Sequence, residues 1–432
     1  MRNPKQSRLL YAYYGDDFTG STDVLEALAL YGVPAVLFTH LPDERSLKAF
    51  ARCRAIGIAG ESRSRTPRWM SSNLPPVFAA MRALGAPVNH YKVCSTFDSS
   101  SRVGSIGRAM ELGIEAFGAE FVPVVVGAPH LGRFVAFGNL FADAHGVVHR
   151  IDRHPTMQRH PVTPMDEADL RLHLAGQTQM PIGLVDLMAF QAGAAGKRMR
   201  AELAAGAKAV LFDGIDEAML EATAQIVWER ALKQPVFAAG SSGFTHGLLR
   251  HWRRLKLIGE PPALAKPAPA DRLLVLSGSC SPVTARQIRW AKQHGFEARL
   301  LKDPEQWGAQ MHRALEALSR GQSVVLYTAL GPKTANGKEE YDEAFSVRLG
   351  VRLRELLLLS GVRRIVIAGG DTATHAVKQL GLSALTFAAP LAPGAPLCSG
   401  HAPGSPLDGL ELVLKGGQIG SENFFAQVRD GQ

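Results

Sequence analysis

Short apolar runs recur along this chain, separated by longer stretches with helical spacing, and nothing else in the sequence limits its fold as strongly. The runs fall at residues 9–14, 35–38, 55–58, 122–126, 183–185, 209–212 and 236–239. Strands apolar on both faces are covered on both faces, and helical crossovers between them imply parallel pairing. Between the first two runs, residues 23–31 place Val24, Leu25, Leu28 and Tyr31 at helical spacing. The rhythm is that of an α/β protein.

Residues 261–270, PPALAKPAPA, break the rhythm. They are rich in Pro and Ala, show no period, and read as a linker. Beyond them strands are expected at 273–276, 297–301, 323–327 and 364–368, with helices near 284–294, 307–320 and 345–359. The expectation is two α/β domains with mostly parallel sheets, residues 1–260 and 271–432, a division that suits a length of 432 residues.

Composition excludes several classes. The chain is 46% apolar and 20% charged, so it can bury a core and is not disordered. Its 43 glycines are about 10% of the residues against a usual ~7%, which fits many tight turns and close backbone–ligand approaches. Net charge is +9, but the basic residues are scattered and aromatics are only 7%; nucleic acid is therefore disfavoured and small anionic ligands are favoured. Cys53, Cys94, Cys280 and Cys398 form no CxxC pair, so neither a zinc finger nor a disulfide framework is indicated. No signal peptide and no membrane span is read, and the expected location is cytoplasmic.

Several segments carry residues suited to chemistry. In GDDFTGSTD, Asp16 and Asp17 stand side by side where a strand gives way to a helix, close to Thr19 and Gly20. Ligands of open α/β sheets bind outside the carboxyl ends of strands. A helix cap from Ser21 or Thr22, with Asp23 in the first turn, accounts for the later residues but not for two adjacent carboxylates. YKVCSTFDSSS sets Lys92, Ser95 and Thr96 in a hydroxyl-rich stretch suited to a carboxylate and sugar hydroxyls, although Ser-rich loops are common. Arg153 precedes two His-Pro pairs, His154-Pro155 and His160-Pro161, which also read as a rigid loop with Asp166 capping the next helix; His154 and His160 lack a clear third ligand, and no metal ligands are assigned. In the second half, SGSCS with Ser279 and AGGDT with Gly369, Gly370, Asp371 and Thr372 both follow strands and open helices. Such turns bind phosphate through free backbone N–H groups. KGGQIG adds Gly417. Neither a Walker A motif nor GxGxxG is present.

Taken in order, GDDFTGSTD, HPVTPMDEADL, AAGSSGF, SGSCS, GGDT, LAPGAP and KGGQIGSENFF resemble the four-carbon acid sugar kinases over nearly the whole chain. The resemblance implies an N-terminal domain that binds an acid sugar, a C-terminal domain that binds ATP, and phosphoryl transfer in a cleft between them, with Mg²⁺ bridging the phosphates. It places the nucleotide on Ser279, Gly369, Gly370, Asp371, Thr372 and Gly417, and the acceptor on the Asp16 to Gly20 segment. A carboxylate of the Asp16–Asp17 pair would serve as base.

Two departures stand out. The family usually has Glu at the position of Asp371. Members acting on tetronates tend to read KKIDSTLRGN where this chain reads YKVCSTFDSS, so Cys94 replaces an Asp and Asp98-Ser99 replaces Arg-Gly. A branched 3-oxo acid, as used by the family's 3-oxo-isoapionate kinases, therefore stands beside a simple tetronate as the expected substrate. An NAD-dependent dehydrogenase and a non-catalytic sugar-acid sensor are the competing readings, and a homodimer is compatible with all three.

Overall fold

The computed structural model describes residues 9–144, 146–160, 162–331 and 343–432. Its first strands are β1 (Tyr11–Gly15), β2 (Ala35–Phe38), β3 (Ala55–Ala59), β4 (Val88–Lys92) and β5 (Val122–Val125). Then come β6 (Arg133–Ala136), β7 (Asn139–Ala144), β8 (Val147–Arg150), β9 (Ile182–Val185), β10 (Ala209–Phe212) and β11 (Val236–Gly240). The rest are β12 (Leu274–Ser277), β13 (Glu297–Leu300), β14 (Val324–Tyr327), β15 (Arg364–Ala368), β16 (Ala384–Ala392), β17 (Ala395–His401) and β18 (Glu411–Lys415).

The chain forms two compact units, and the division is not one cut in sequence. Ala27–Ala35 and Asp43–Pro262 group with the residues up to Asp16; Asp17–Glu26 and Val36–Pro42 group with Ala263–Gln432. Asp16 and Asp17, neighbours in the chain, thus belong to different units. No helix or strand lies between Arg254 and Leu274, where the linker was read.

The first unit is a parallel sheet in the order β3-β1-β4-β11-β5-β10-β9. Strand β3 flanks β1 on one side and β4 on the other, so the order reverses at β1. An aromatic core lies behind it, where Phe237 packs 5.1 Å from Phe78 and 5.2 Å from Phe117. Strand β4, VNHYK, was not anticipated because its polar residues hide the apolar run. It is nonetheless buried throughout. His90 is satisfied inside: Tyr11 Oη lies 2.5 Å from Nδ1, and Nε2 donates to the Gly240 carbonyl at 3.1 Å. Burial, helped by Lys92, pulls the His90 pKa down to about 3, so the ring is neutral. Strands β6, β7 and β8 form a separate antiparallel sheet that the apolar-run pattern also missed.

In the second unit β13, β14, β12, β15 and β18 lie side by side and parallel. The hairpin β16–β17 extends this sheet antiparallel, and Leu37 and Phe38 of β2 pair with β16. Val275, Val325, Val366 and Val413 meet Phe424 and Phe425 in the core. Strand order reverses between β12, which leads toward β14 and β13, and β15 on its other side. Among the described residues no helix is long and apolar enough to cross a membrane.

Candidate active site

In an open parallel sheet the reversal of strand order opens a crevice at the carboxyl ends, where loops diverge. Each unit places its chemistry-bearing residues there.

In the first unit Gly15 pairs with Lys92, and the Asp16 N–H donates to the Lys92 carbonyl at 2.9 Å. Asp16 and Lys92 therefore leave adjacent strands at the reversal point. Both are buried, at 5% and 2% exposure. Beyond Lys92 the chain bends through Phe97, whose φ of 56° is the left-handed region that a bulky residue enters only when its surroundings hold it there. The bend buries Ser95, Thr96 and Asp98. Asp98 is its hub. Arg63 Nη2 donates to both carboxylate oxygens at 3.1 and 3.0 Å, Thr96 Oγ1 to Oδ1 at 2.6 Å, and Thr163 Oγ1 to Oδ2 at 3.1 Å. Burial opposes ionisation of Asp98, but Arg63, His160 and the Thr96 hydrogen bond outweigh it and hold the carboxyl below its ordinary range.

His160 reaches this cluster through Thr163, whose N–H donates to His160 Nδ1 at 3.1 Å. Arg153 does not join it in any described contact: it is exposed, beside Asp152. The helix after this loop is capped by Asp169, not Asp166, with Asp169 accepting from the Arg171 N–H. Asp98, Arg63 and Thr163 were not named as site residues, since nothing local to each signals that they meet.

In the second unit Asp17 caps the helix Phe18–Leu30. Its Oδ1 accepts from the Gly20 N–H at 2.5 Å. Ser21 and Thr22, expected as caps, lie inside the helix and bond back to the carbonyls of Asp17 and Thr19. The Thr19 hydroxyl is enclosed and has no hydrogen-bond partner among the described residues. Asp17 also stands beside the phosphate-type turn after β15: a Cβ on Gly370 would lie 3.4 Å from Asp17 Oδ2. Thr374 ties the two together, accepting from the Phe18 N–H at 3.4 Å and donating to the Gly370 carbonyl at 3.0 Å.

The three glycine-rich turns, far apart in sequence, meet at the ends of β12, β15 and β18. A Cβ on Gly278 would run into Thr372 Oγ1, so the first two turns touch. A Cβ on Gly417 would lie 2.6 Å from Ser279 Oγ and 2.8 Å from Ser281 Cβ, so the third packs on the first. Gly369, at φ +111°, turns its N–H onto the Lys415 carbonyl at 3.0 Å. Ser281 caps the helix Pro282–Gln293. Ser279, Gly369, Gly370, Thr372 and Gly417 are thus gathered; the Asp371 side chain lies outside the described residues. Reading by motif missed Thr284 and the buried Lys415, although Lys415 opens the KGG motif.

A cavity of about 630 Å³ on the flank of the helices Pro67–Leu84 and Ile106–Phe117 is lined by Pro75, Arg82 and Leu112 among others and includes none of these turns.

Glycine-rich turns gathered at the reversal point in one unit, and a polar buried cluster at that in the other, are the arrangement of a two-domain α/β enzyme that uses a nucleotide. The patterns described as Sugar-binding N-terminal domain and Nucleotide-binding C-terminal domain match residues 11–248 and 274–425. A 3-oxo-isoapionate kinase from Paraburkholderia graminis is 45% identical, the similarity covering 98% of this chain and 95% of that protein. A 3-oxo-tetronate kinase from Pseudomonas savastanoi pv. phaseolicola is 30% identical over 98% of this chain and 97% of its own. A solved Salmonella typhimurium LT2 chain, crystallised under the name of a tRNA synthase, is 25% identical with a TM-score of 0.74, covering 98% of this chain and 99% of that one. The chain belongs to the four-carbon acid sugar kinase family.

Proposed function

We propose that this kinase transfers the terminal phosphoryl group of ATP to a hydroxyl of a branched 3-oxo acid sugar. The meeting of the SGSCS, GGDT and KGG turns at neighbouring strand ends carries the nucleotide half of the reading. The acceptor half rests on two observations. The relative at 45% identity is named for 3-oxo-isoapionate and the one at 30% for 3-oxo-tetronate. The YKVCSTFDSS segment departs from the tetronate pattern, and its Asp98 is locked to Arg63, Thr96 and Thr163.

Phosphoryl transfer demands positioning and charge neutralisation more than covalent chemistry. The backbone N–H groups of the turns at Ser279, Gly370 and Gly417 would hold the phosphates. Lys92, Ser95, Thr96 and His160 would hold the acid sugar. Asp17, beside Gly370, would take the acceptor proton, and Asp16, beside Lys92, would help orient the acceptor. Asp17 Oδ2 stands beside Gly370, Thr372 Oγ1 against Gly278 and Ser279 Oγ against Gly417; all three are oxygen donors, the donor type that suits Mg²⁺. When bound, Mg²⁺ neutralises phosphate charge; Asp17 is the described carboxylate that would hold it, with the nucleotide and water.

The test is ADP release coupled to acid-sugar addition, screened over four-carbon and branched five-carbon acids, together with thermal shifts. ADP with Mg²⁺ and the correct acid should each raise the melting temperature, and NAD should not. Gly370→Val directs a side chain at Asp17 and should abolish the ADP shift in a folded protein. Turnover with no acid, alongside no ADP shift, rules the reading out.

A further inference from the structure

Lys415 ends β18 between the nucleotide turns and is wholly buried. Its Nζ lies 3.0 Å from Thr284 Oγ1, and Thr284 Oγ1 in turn donates to the Gly417 carbonyl at 2.9 Å. Its backbone carbonyl accepts the Gly369 N–H. One residue therefore reaches the Gly417 carbonyl through the Thr284 hydroxyl and touches the GGDT turn through its backbone. Among the described residues no ion pair includes it. A buried ammonium without a counter-ion is costly, and buried charges are kept where something pairs them. A second buried group at the same strand ends also lacks a partner among the described residues, the Ser277 hydroxyl that closes β12.

We propose that Lys415 is the buried positioning cation of the nucleotide site, setting the KGG turn through Thr284 and offsetting the charge of the bound polyphosphate from beneath the turns. The inference rests on the nucleotide reading above and deepens it. A polyphosphate supplies the counter-charge that the empty site lacks, so nucleotide binding should favour the ammonium form. Burial alone lowers the Lys415 pKa from its usual 10.5 to about 7. The described charged or titratable groups on its own and adjoining elements are Glu411 on β18, Arg364 on β15, Cys398 and His401 on β17, Arg286, Arg289 and Lys292 on the helix Pro282–Gln293, and His375 and Lys378 on the helix Gly370–Gln379; none contributes to that shift. The empty enzyme therefore holds Lys415 largely neutral above pH 7, and binding at pH 7.5–8.5 should draw a proton from solvent.

The experiment is calorimetric titration of the full chain with ADP and Mg²⁺ at pH 7.5 and 8.5, in buffers of different ionisation enthalpy. The wild type should take up a substantial fraction of a proton per ADP. Lys415→Met should take up none and bind ADP about tenfold or more weakly, a loss of about 1.4 kcal/mol or more. Proton uptake is a quantity that a merely structural lysine would leave unmoved. If Lys415→Met does not fold, the wild-type measurement decides alone: ADP binding without proton uptake overturns the proposal. Equal uptake by wild type and Lys415→Met overturns it too. Failure of the wild type to bind ADP at all overturns the nucleotide reading itself, and the proposal with it.

Discussion

Replacing Gly417 by Ala tests the packed turns directly. The added Cβ would sit 2.6 Å from Ser279 Oγ and 2.8 Å from Ser281 Cβ, whereas carbon atoms rest at about 3.5 Å or more. Ser281 must retreat by roughly 0.7 Å to reach that distance. It cannot do so freely. Its hydroxyl caps the helix Pro282–Gln293 by accepting from the Val283 N–H at 3.2 Å, and Pro282 follows it rigidly. Ser279 can rotate away, but its oxygen then loses the Ser281 N–H, held at 3.2 Å. Overpacking of this kind costs about 1–3 kcal/mol and a weakened cap about 1 more. At roughly 2–4 °C per kcal/mol for a domain of this size, melting should fall by several degrees. Moving a phosphate turn by that distance should also weaken ADP binding at least tenfold, the equivalent of losing one good charge-assisted hydrogen bond. Scanning fluorimetry and calorimetry with ADP read the two effects. Gly416→Ala is the control, since its Cβ would meet only Ile419 side-chain atoms at 3.7 and 3.8 Å. Wild-type melting and ADP affinity in Gly417→Ala would refute the packing argument.

Asp17→Asn keeps the shape of the Gly20 cap but loses basicity and charge, and should lower kcat by about 10²–10⁴, with ADP affinity little changed without Mg²⁺ and weakened with it; steady-state turnover alongside ADP titration with and without Mg²⁺ checks this. Arg63→Met leaves the fully buried Asp98 carboxylate with only its threonines and the His160 side, and should destabilise by about 2–3 kcal/mol at pH 7 in urea titrations. Because the Asp98 pKa is depressed, that ion pair stabilises above the ordinary carboxylate range, so the difference from wild type should shrink as pH falls through the lowered value. Glu26, buried and accepting the Gly394 N–H at 2.7 Å, has its pKa pushed by burial from 4.5 to about 8. The native state then holds a proton that the unfolded chain has lost between pH 4.5 and 8, so stability declines as pH rises through that window, by up to about 5 kcal/mol. Glu26→Gln should flatten the decline, with its benefit largest at pH 8 and small at pH 4.5; urea unfolding at the two pH values decides.

Much of this was legible in the residues themselves. Continuous apolar runs can be satisfied only by strands covered on both faces, so 209–212 and 364–368 announce buried parallel strands without any knowledge of their partners. Small residues between strand and helix expose backbone N–H groups, so SGSCS and GGDT stand out locally as turns that open helices, and a Pro-rich stretch without period cannot be either element. Among the strands that escaped, β6, β7 and β8 pair with sequence neighbours but are only partly buried, whereas β4 depends on partners distant in sequence. Strand β4 reads as polar because His90 needs Tyr11 and Gly240 to be tolerated inside, and neither is near it in the chain. The same holds for the site. Asp98 is a surface-type residue until Arg63 and Thr163 arrive, and Lys415 is an ordinary lysine until β15, β17 and the helix Pro282–Gln293 exclude water from it. Adjacent in the chain, Asp16 and Asp17 look like one functional pair, but Asp16 ends a strand of one unit while Asp17 caps a helix grouped with the other. Local preference depends on covalent neighbours and is written in the residues; burial, ion pairing and pKa depend on which strand ends the topology brings together, and those were decided only by the tertiary structure.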